Sequence, residues 1–477
     1  MQNFDLIVIG SGPSGQRAAI QAAKLGKRVA VIERRRDLGG VCINTGTIPS
    51  KTLREAVLDL SGYRERALYG AVARPAGDVT VAELLMRTEV IMQRERDVVR
   101  AQLARNHVQV FEGDARFDGP HRIKVERPLE GLDLEAGVIV VAVGTVPGVP
   151  PGITIDHVTT LTSDDILRLD RLPRTLTVLG AGIIGVEFAT IFATLGIEVI
   201  LVDMREQLLE MVDRELVDAL AVHMRDMNVT MRLGEAVERI EGVAPHAVVV
   251  LKSAKRFSTD MVLVSAGRQG ATADLALDKA GLTADERGRL MVNEHYQTTQ
   301  PHIYAVGDVV GFPALASTSM EQGRLAACHA FGVPAISVPR LFPYGIYAVP
   351  EIAWVGATEQ DLTHHGVPFE TGVARYREIA RGQILGDLDG MLKLIFHLDT
   401  HEILGVWCIG TFATELVHVG QAVMALNGTL DYFVTTVFNY PTLAECYKVA
   451  ALDGYNKIQD LDAADRSAAT AAKDVSA

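Results

Sequence analysis

An α/β architecture, with two strand–turn–helix–strand units and a C-terminal α+β region, is the fold class that the sequence predicts. Three observations carry it. A glycine-rich turn between an apolar run and a helical stretch occurs twice, at Gly10–Gly15 and at Gly180–Gly185. Each unit ends on an acid at the same offset from its first glycine, Glu33 in one and Asp203 in the other. After about Pro339 the pattern changes to alternating strands such as MLKLIFH and EILGVWCIG, followed by two helical stretches. The length of 477 residues exceeds one ordinary core, so about two to four domains are expected.

The first unit begins with FDLIVIG, a short apolar strand that ends in Gly10. GSGPSG then turns the chain into the helical stretch QRAAIQAAKLG, and the strand RVAVIE closes on Glu33. The second unit repeats this as LTVLG, GAGIIG, VEFATIFATLG and EVILVD. Each glycine has a mechanical reason. The first (Gly10, Gly180) makes the tight turn, and the second (Gly12, Gly182) lets a pyrophosphate approach the backbone. The third (Gly15, Gly185) lets helix and strand pack closely. The helix N-terminus offers free N–H groups and partial positive charge to phosphates, and the terminal acid accepts from a ribose diol. One such turn is weak evidence, but two complete units with matched acids predict two Rossmann-like dinucleotide-binding domains.

Between the units a helical region runs to about Asn106, and VIVVAVGTVPG follows as a strand and turn around Gly144. A similar VLVSAGRQG closes the second unit at Gly267. IYAVGDVVG is an apolar strand ending in Gly307 and Asp308. The small, polar stretch 463–477 is expected to be a disordered tail.

Composition narrows the function classes. Hydrophobic residues are 48% and charged residues 22%, ordinary for a soluble globular protein. The net charge of −13 argues against nucleic acid or an anionic membrane as partner. No apolar run is long enough to span a bilayer, and the N-terminus lacks a signal pattern, so a cytoplasmic location is expected. The four cysteines, Cys42, Cys328, Cys408 and Cys446, are scattered without metal-ligand spacing, and no metal is expected.

The ordered motifs GSGPSG with Glu33, GGVCINTGTIPSK, AVGT, GAGIIGVE, AGR, YAVGD and YPTLAE run from about Phe4 to Lys457. On these residues the chain resembles the pyridine-nucleotide-dependent flavoprotein disulfide reductases, the group of dihydrolipoamide dehydrogenase and glutathione reductase. The resemblance implies a discontinuous FAD domain of residues 1–148 and 270–340, holding Gly10, Gly12, Gly15, Glu33, Cys42, Thr47, Gly144 and Asp308. It implies an NAD(P) domain of residues 149–269, holding Gly180, Gly182, Gly185, Asp203, Arg205 and Gly267. Residues 341–462 would be the α+β interface domain of a homodimer or larger homo-oligomer. By the same resemblance Lys51 sits near flavin N5 and O4 and pairs with Glu187, and Asp308 binds FAD hydroxyls. The helix from about Ala316 would aim its positive end at the flavin, with Ser317 or Thr318 as a possible cap.

The departures sharpen this reading. Disulfide reductases have cysteine where Thr47 stands and histidine where Tyr440 stands. No dithiol remains to take electrons, and no imidazole remains to move a thiol proton near neutral pH. The pair Cys-x-x-x-x-Thr with Asn-Tyr-Pro-Thr resembles the soluble pyridine nucleotide transhydrogenase branch of the group. That branch implies a ping-pong relay between NADPH/NADP+ and NADH/NAD+ through FAD, with both nicotinamides using one pocket in turn. Asp203 suits the 2′-hydroxyl of NAD, and Arg205 either accommodates a 2′-phosphate or is an exposed loop arginine. Cys42 is read as a small buried hydrophobe rather than a leftover thiol able to form a sulfenic acid, and a bridge from Cys446 to it across a dimer is disfavoured. Alternatives are an NAD(P)H:quinone or dye reductase, which no residue excludes, and a nucleotide-binding redox sensor, which Lys51 and Glu187 argue against. A dihydrolipoamide dehydrogenase is nearly excluded by Thr47 and Tyr440.

Overall fold

In the computed structural model, residues 1–69, 79–127, 131–243, 245–335 and 341–459 are described. The expected tail 463–477 and the boundary at 340 lie outside them. Three larger sheets organise the described residues, beside a three-stranded sheet of Val237–Val243, His246–Leu251 and Arg256–Thr259 and a two-stranded one.

The first sheet has the order Gln109–Glu112, Val29–Glu33, Gln2–Ile9, Leu132–Val141, Arg122–Glu126, Asp114–Gly119, and Ile303–Ala305 also pairs with Leu132–Val141. The strands from Gln109–Glu112 to Leu132–Val141 are parallel to one another, as is Ile303–Ala305. Leu6–Ile9 and Val29–Ile32 are almost fully buried. They are covered on both faces, which is why they read as continuous apolar runs rather than alternating ones. Ile9 lies level with both Ile32 and Val141, so Gly10, Glu33 and Ala142 come together at the carboxyl edge. The helix Pro13–Lys24 packs against the helix Ala316–Ala330. Gly323 makes that contact possible, since a Cβ there would stand 2.0 Å from the Ser14 carbonyl oxygen. The helical region expected before Asn106 contains Thr47–Leu60 and Val81–Arg105, the latter opened by a Thr80–Glu83 capping box.

The second sheet is all parallel, in the order Val229–Leu233, Glu198–Asp203, Thr175–Leu179, Met261–Val264, Thr160–Thr162. The chain enters and leaves this unit through Thr145–Pro147 and Arg268–Gly270, which pair antiparallel. The third sheet is antiparallel, in the order Tyr344–Ile346, Ile352–Gly356, Ile403–Ile409, Met391–His397, Phe369–Arg375. Ala413–Ala425 and the helix over 445–459 supply much of its apolar cover.

An ion cluster around a buried lysine joins the third sheet to the second unit. Lys393, fully buried within Met391–His397, reaches Asp213 at 2.9 Å, Glu215 at 3.2 Å and Glu359. Asp213 also accepts from the Glu215 N–H as the N-cap of Arg214–Asp226. The buried ammonium is offset by these carboxylates, as a charge removed from water requires. Among the described residues no helix is long and apolar enough to cross a membrane.

Candidate functional site

The first glycine turn opens onto a cleft of about 1150 Å³. Gly10 has φ +105°, and a Cβ on it would stand 2.4 Å from the Ala142 carbonyl oxygen. A Cβ on Gly15 would stand 2.0 Å from the Gly10 carbonyl oxygen, so this glycine sets the helix-to-strand spacing. A Cβ on Gly12 would meet nothing within 4 Å, because that face is the open cleft. The helix Pro13–Lys24 begins there with no side-chain cap and no acid in its first turn. Its unpaired N–H groups and positive end are suited to a phosphate. Glu33 is buried and held by the Ser11 N–H (3.0 Å), the Ser11 hydroxyl (2.7 Å) and the Arg35 N–H (3.0 Å).

The same cleft is lined by Gly10, Gly12, Glu33, Cys42, Thr47, Gly144 and Asp308, which come from five separate stretches of the chain. Gly15 packs behind it. Gly144 has φ +65°, a conformation glycine adopts without strain. Burial raises the Asp308 carboxyl above its usual range, opposed by the charge of Arg268 and a bond from Ser319. Cys42 is only half-buried and faces Thr47, the exposed first residue of Thr47–Leu60. Burial pushes its thiol up, against the hydrogen bond to Thr47. The residue is therefore a half-buried, cleft-lining thiol rather than the small buried hydrophobe expected from sequence, in keeping with its expected place among the flavin-site residues. Cys446 is buried beside Cys408 in the core of the third region, where burial pushes it up to about 12. It is no surface partner for Cys42.

Lys51 follows Thr47 by one helical turn and lies just beyond the cleft lining. Its Nζ donates to Glu187 Oε1 at 2.8 Å and Oε2 at 2.7 Å, and to Ser50 Oγ at 3.3 Å. Glu187 is buried on the helix Ile183–Thr194 and also accepts from the Tyr347 N–H at 2.8 Å. The Tyr347 ring lies 5.0 Å from Lys51 Nζ. The pairing expected from the resemblance is thus present, and a third residue from the C-terminal region completes it.

The second glycine turn repeats the first in backbone terms. Gly180 has φ +105°, and a Cβ on Gly185 would stand 1.8 Å from the Gly180 carbonyl oxygen. On Gly182 a Cβ would find only Arg205 Nη2, at 3.9 Å. The helix Ile183–Thr194 also starts without a side-chain cap or a first-turn acid. Asp203 differs from Glu33 in its partners. It accepts from the Ala181 N–H (2.5 Å), the Arg205 N–H (2.8 Å), Arg205 Nε (3.0 Å) and Arg205 Nη2 (2.6 Å). Burial alone would raise its carboxyl, but the bonds from Arg205 and Ala181 hold it below the usual range. Arg205 is therefore no loose loop arginine. It lies folded onto the acid, with its own pKa raised by that bond. Gly267 is exposed with φ +96°.

Some residues escaped sequence reasoning. Ser11, inside the first turn, donates to Glu33 and accepts from the Gly39 N–H at 2.9 Å. Arg268 donates to the Thr145 hydroxyl and carbonyl, both at 2.8 Å, fixing the crossing between the first two units. The AGR motif was the available signal for Arg268, and nothing in local pattern marked Tyr347. The proposed cap at Ser317 or Thr318 is corrected. The N-cap of Ala316–Ala330 is Leu315, without a side-chain bond, and Thr318 donates instead to the carbonyls of Pro313 and Leu315. Tyr440 is exposed.

Comparison with known proteins matches this arrangement to characterised groups. Residues 4–323 match the pyridine nucleotide-disulphide oxidoreductase family, and residues 342–451 match its dimerisation domain. A protein of Mycobacterium tuberculosis named soluble pyridine nucleotide transhydrogenase is 52% identical over 97% of this chain and 99% of its own. A protein of the same name from Chromohalobacter salexigens is 44% identical over 96% and 99%. Among solved structures, the Cu(II) complex of the HOCl-induced flavoprotein disulfide reductase RclA from Escherichia coli superposes with TM-score 0.86 at 28% identity, covering 95% of this chain and 99% of that one. LpdA from Mycobacterium tuberculosis gives TM-score 0.86 at 25% identity, with coverage of 95% and 99%. With two complete glycine-turn units, a Lys51–Glu187 pair and matches of this extent, the chain belongs to the pyridine nucleotide-disulphide oxidoreductase family, within its soluble transhydrogenase branch.

Proposed function

We propose that the chain transfers hydride between NADPH and NAD+, in either direction, by a ping-pong relay through bound FAD and without a redox-active disulfide. The observation that carries this is the pairing of Cys42 with Thr47 at the cleft, in a molecule whose two nucleotide-turn units are otherwise complete. A hydroxyl beside the one cleft thiol offers no dithiol for a disulfide substrate. The transhydrogenase name of the relatives points the same way.

The cleft residues fit FAD. The uncapped helix behind Gly12 suits its pyrophosphate, and Glu33 and Asp308 suit its hydroxyl groups. Bound there, FAD supplies two-electron acceptance and return, which lets one nicotinamide leave before the other enters. Lys51 provides fixed positive charge near the cleft, and Glu187 holds it in one orientation. Asp203 and Arg205 together offer a hydrogen-bond acceptor for a ribose diol and a cation for a 2′-phosphate. In this reading residues 1–148 and 270–340 form the FAD domain, 149–269 the NAD(P) domain and 341–462 the interface of a cytoplasmic homodimer or larger assembly. Purified protein mixed with NADPH and thio-NAD+ should reduce the thio-nucleotide catalytically. Turnover with quinones but not with thio-NAD+ would make it a quinone reductase instead.

A further inference from the structure

We propose that Tyr347 is a positioning residue for Lys51, a brace through which the C-terminal region sets the charge beside the nucleotide cleft. The inference deepens the function proposed above and rests on it. Three contacts single out this tyrosine. Its backbone N–H donates to Glu187 Oε1, the oxygen that also receives Lys51. Lys51 Nζ lies over its ring, 5.0 Å from the centroid. The tyrosine hydroxyl faces Thr414, at the start of Ala413–Ala425, a polar neighbour that opposes the rise burial gives the phenol.

The segment around it is tied to both helices that carry the pair. Thr414 Oγ1 donates to Glu351 Oε2 at 2.8 Å, and Glu351 Oε1 lies 3.2 Å from Arg54 Nη1. Arg54 is almost wholly buried, stands on the same helix as Lys51, and donates through Nε to the Ala348 carbonyl at 2.9 Å. On the other side the Val349 N–H donates to Thr190 Oγ1 at 3.0 Å, one turn after Glu187. The path Lys51–Glu187–Tyr347–Thr414–Glu351–Arg54 closes on the helix where it began. An ammonium held by one carboxylate and a weak bond to Ser50 can swing about those contacts. A ring face beside it restricts the swing and favours the cation electrostatically.

The test compares Tyr347→Leu, Tyr347→Phe, Thr414→Val, Lys51→Met and the Tyr347→Leu/Lys51→Met pair, each as flavin-loaded protein. Tyr347→Leu removes the ring and keeps the backbone N–H. It should slow NADPH-driven bleaching of the flavin about 5- to 30-fold, with NADPH affinity changed less than about twofold. Its flavin midpoint potential should fall, because the charge favouring the electron-rich form is less well held. Tyr347→Phe restores the ring and should recover most of the loss. Thr414→Val leaves Tyr347 in place but removes its polar neighbour and the tie from Thr414 to Glu351, and should slow bleaching about two- to fivefold, which keeps the idea testable if the leucine variant folds poorly. In the Lys51→Met background, Tyr347→Leu should have no further effect. Wild-type bleaching and potential in both Tyr347→Leu and Thr414→Val would overturn the proposal. So would a Tyr347→Leu loss that is equally large without Lys51. Wild-type protein that bleaches with NADPH but cannot pass electrons to thio-NAD+ would defeat the transhydrogenase reading while leaving this comparison intact.

Discussion

The two glycine-turn units share a backbone and differ at the acid. Gly10 and Gly180 both have φ +105°, and Gly15 and Gly185 both press against the carbonyl oxygen of the first glycine. In the first unit Ser11 stands after the first glycine, and its N–H and hydroxyl both hold Glu33. The same hydroxyl accepts from Gly39, fastening the unit to the segment that carries Cys42, Thr47 and Lys51. In the second unit Ala181 stands there and brings no hydroxyl, and Asp203 is held by the guanidinium of Arg205. Both acids accept from the N–H after the first glycine and from the N–H two residues beyond the acid. The side-chain partner, however, is a neutral hydroxyl for Glu33 and a guanidinium for Asp203. In the proposed relay the first unit would hold the flavin and the second the exchanging nucleotides, so the side-chain partner of each acid is where the two units should respond differently.

The strongest way to break the comparison is at the glycines. Gly15→Ala puts a Cβ 2.0 Å from backbone oxygen, which neither helix nor strand can relieve. It should cost more than about 3 kcal/mol and yield protein that melts early or lacks flavin. Gly12→Ala meets nothing within 4 Å, so its apoprotein should keep wild-type stability within about 0.5 kcal/mol while losing flavin retention. Thermal melts with and without added FAD separate the two.

Next in size is Lys51→Met, which keeps the length of the side chain and removes the charge. If the fixed charge contributes a few kcal/mol, stopped-flow bleaching by NADPH should slow about a hundredfold or more, with nucleotide binding nearly normal. Wild-type rates would take the lysine out of the mechanism.

Arg205→Ala sharpens the contrast between the acids. The Michaelis constant for NADPH should rise about tenfold to a hundredfold, from loss of one charge-assisted contact of roughly 1.5–3 kcal/mol. That for NADH should hold or improve, because Asp203 is freed for the ribose diol. Equal losses with both nucleotides would make Arg205 a purely structural partner of Asp203.

The smallest effect concerns the altered redox position. Thr47→Cys should leave lipoamide and oxidised glutathione inert in a reductase assay, since Tyr440 supplies no imidazole. Lipoamide turnover approaching the nicotinamide rate, in the variant or the wild type, would contradict the disulfide-free reading.

The fold and much of the site were legible because their causes are local. The turns, their acids and the apolar strands each follow from residues adjacent in sequence, and parallel strands buried on both faces announce themselves as unbroken apolar runs. What was not legible depends on distant residues meeting. Arg205 was readable as a nearby cation, but not as a side chain folded onto Asp203. Tyr347 sits in GIYAVPE, where no periodicity separates a brace from a core aromatic. Lys393 lies in an apolar strand pattern, and only the fold brings Asp213, from 180 residues away, to its ammonium. The cap at Ser317 or Thr318 failed for a related reason, because the carbonyls of Pro313 and Leu315 take the Thr318 hydroxyl.

The account turns on one pocket serving two nicotinamides in succession. Initial rates measured over a grid of NADPH and thio-NAD+ concentrations test this most directly. A relay through one shared pocket gives parallel double-reciprocal lines, with each substrate inhibiting at high concentration. Lines that intersect, as a ternary complex of both nucleotides requires, would contradict it.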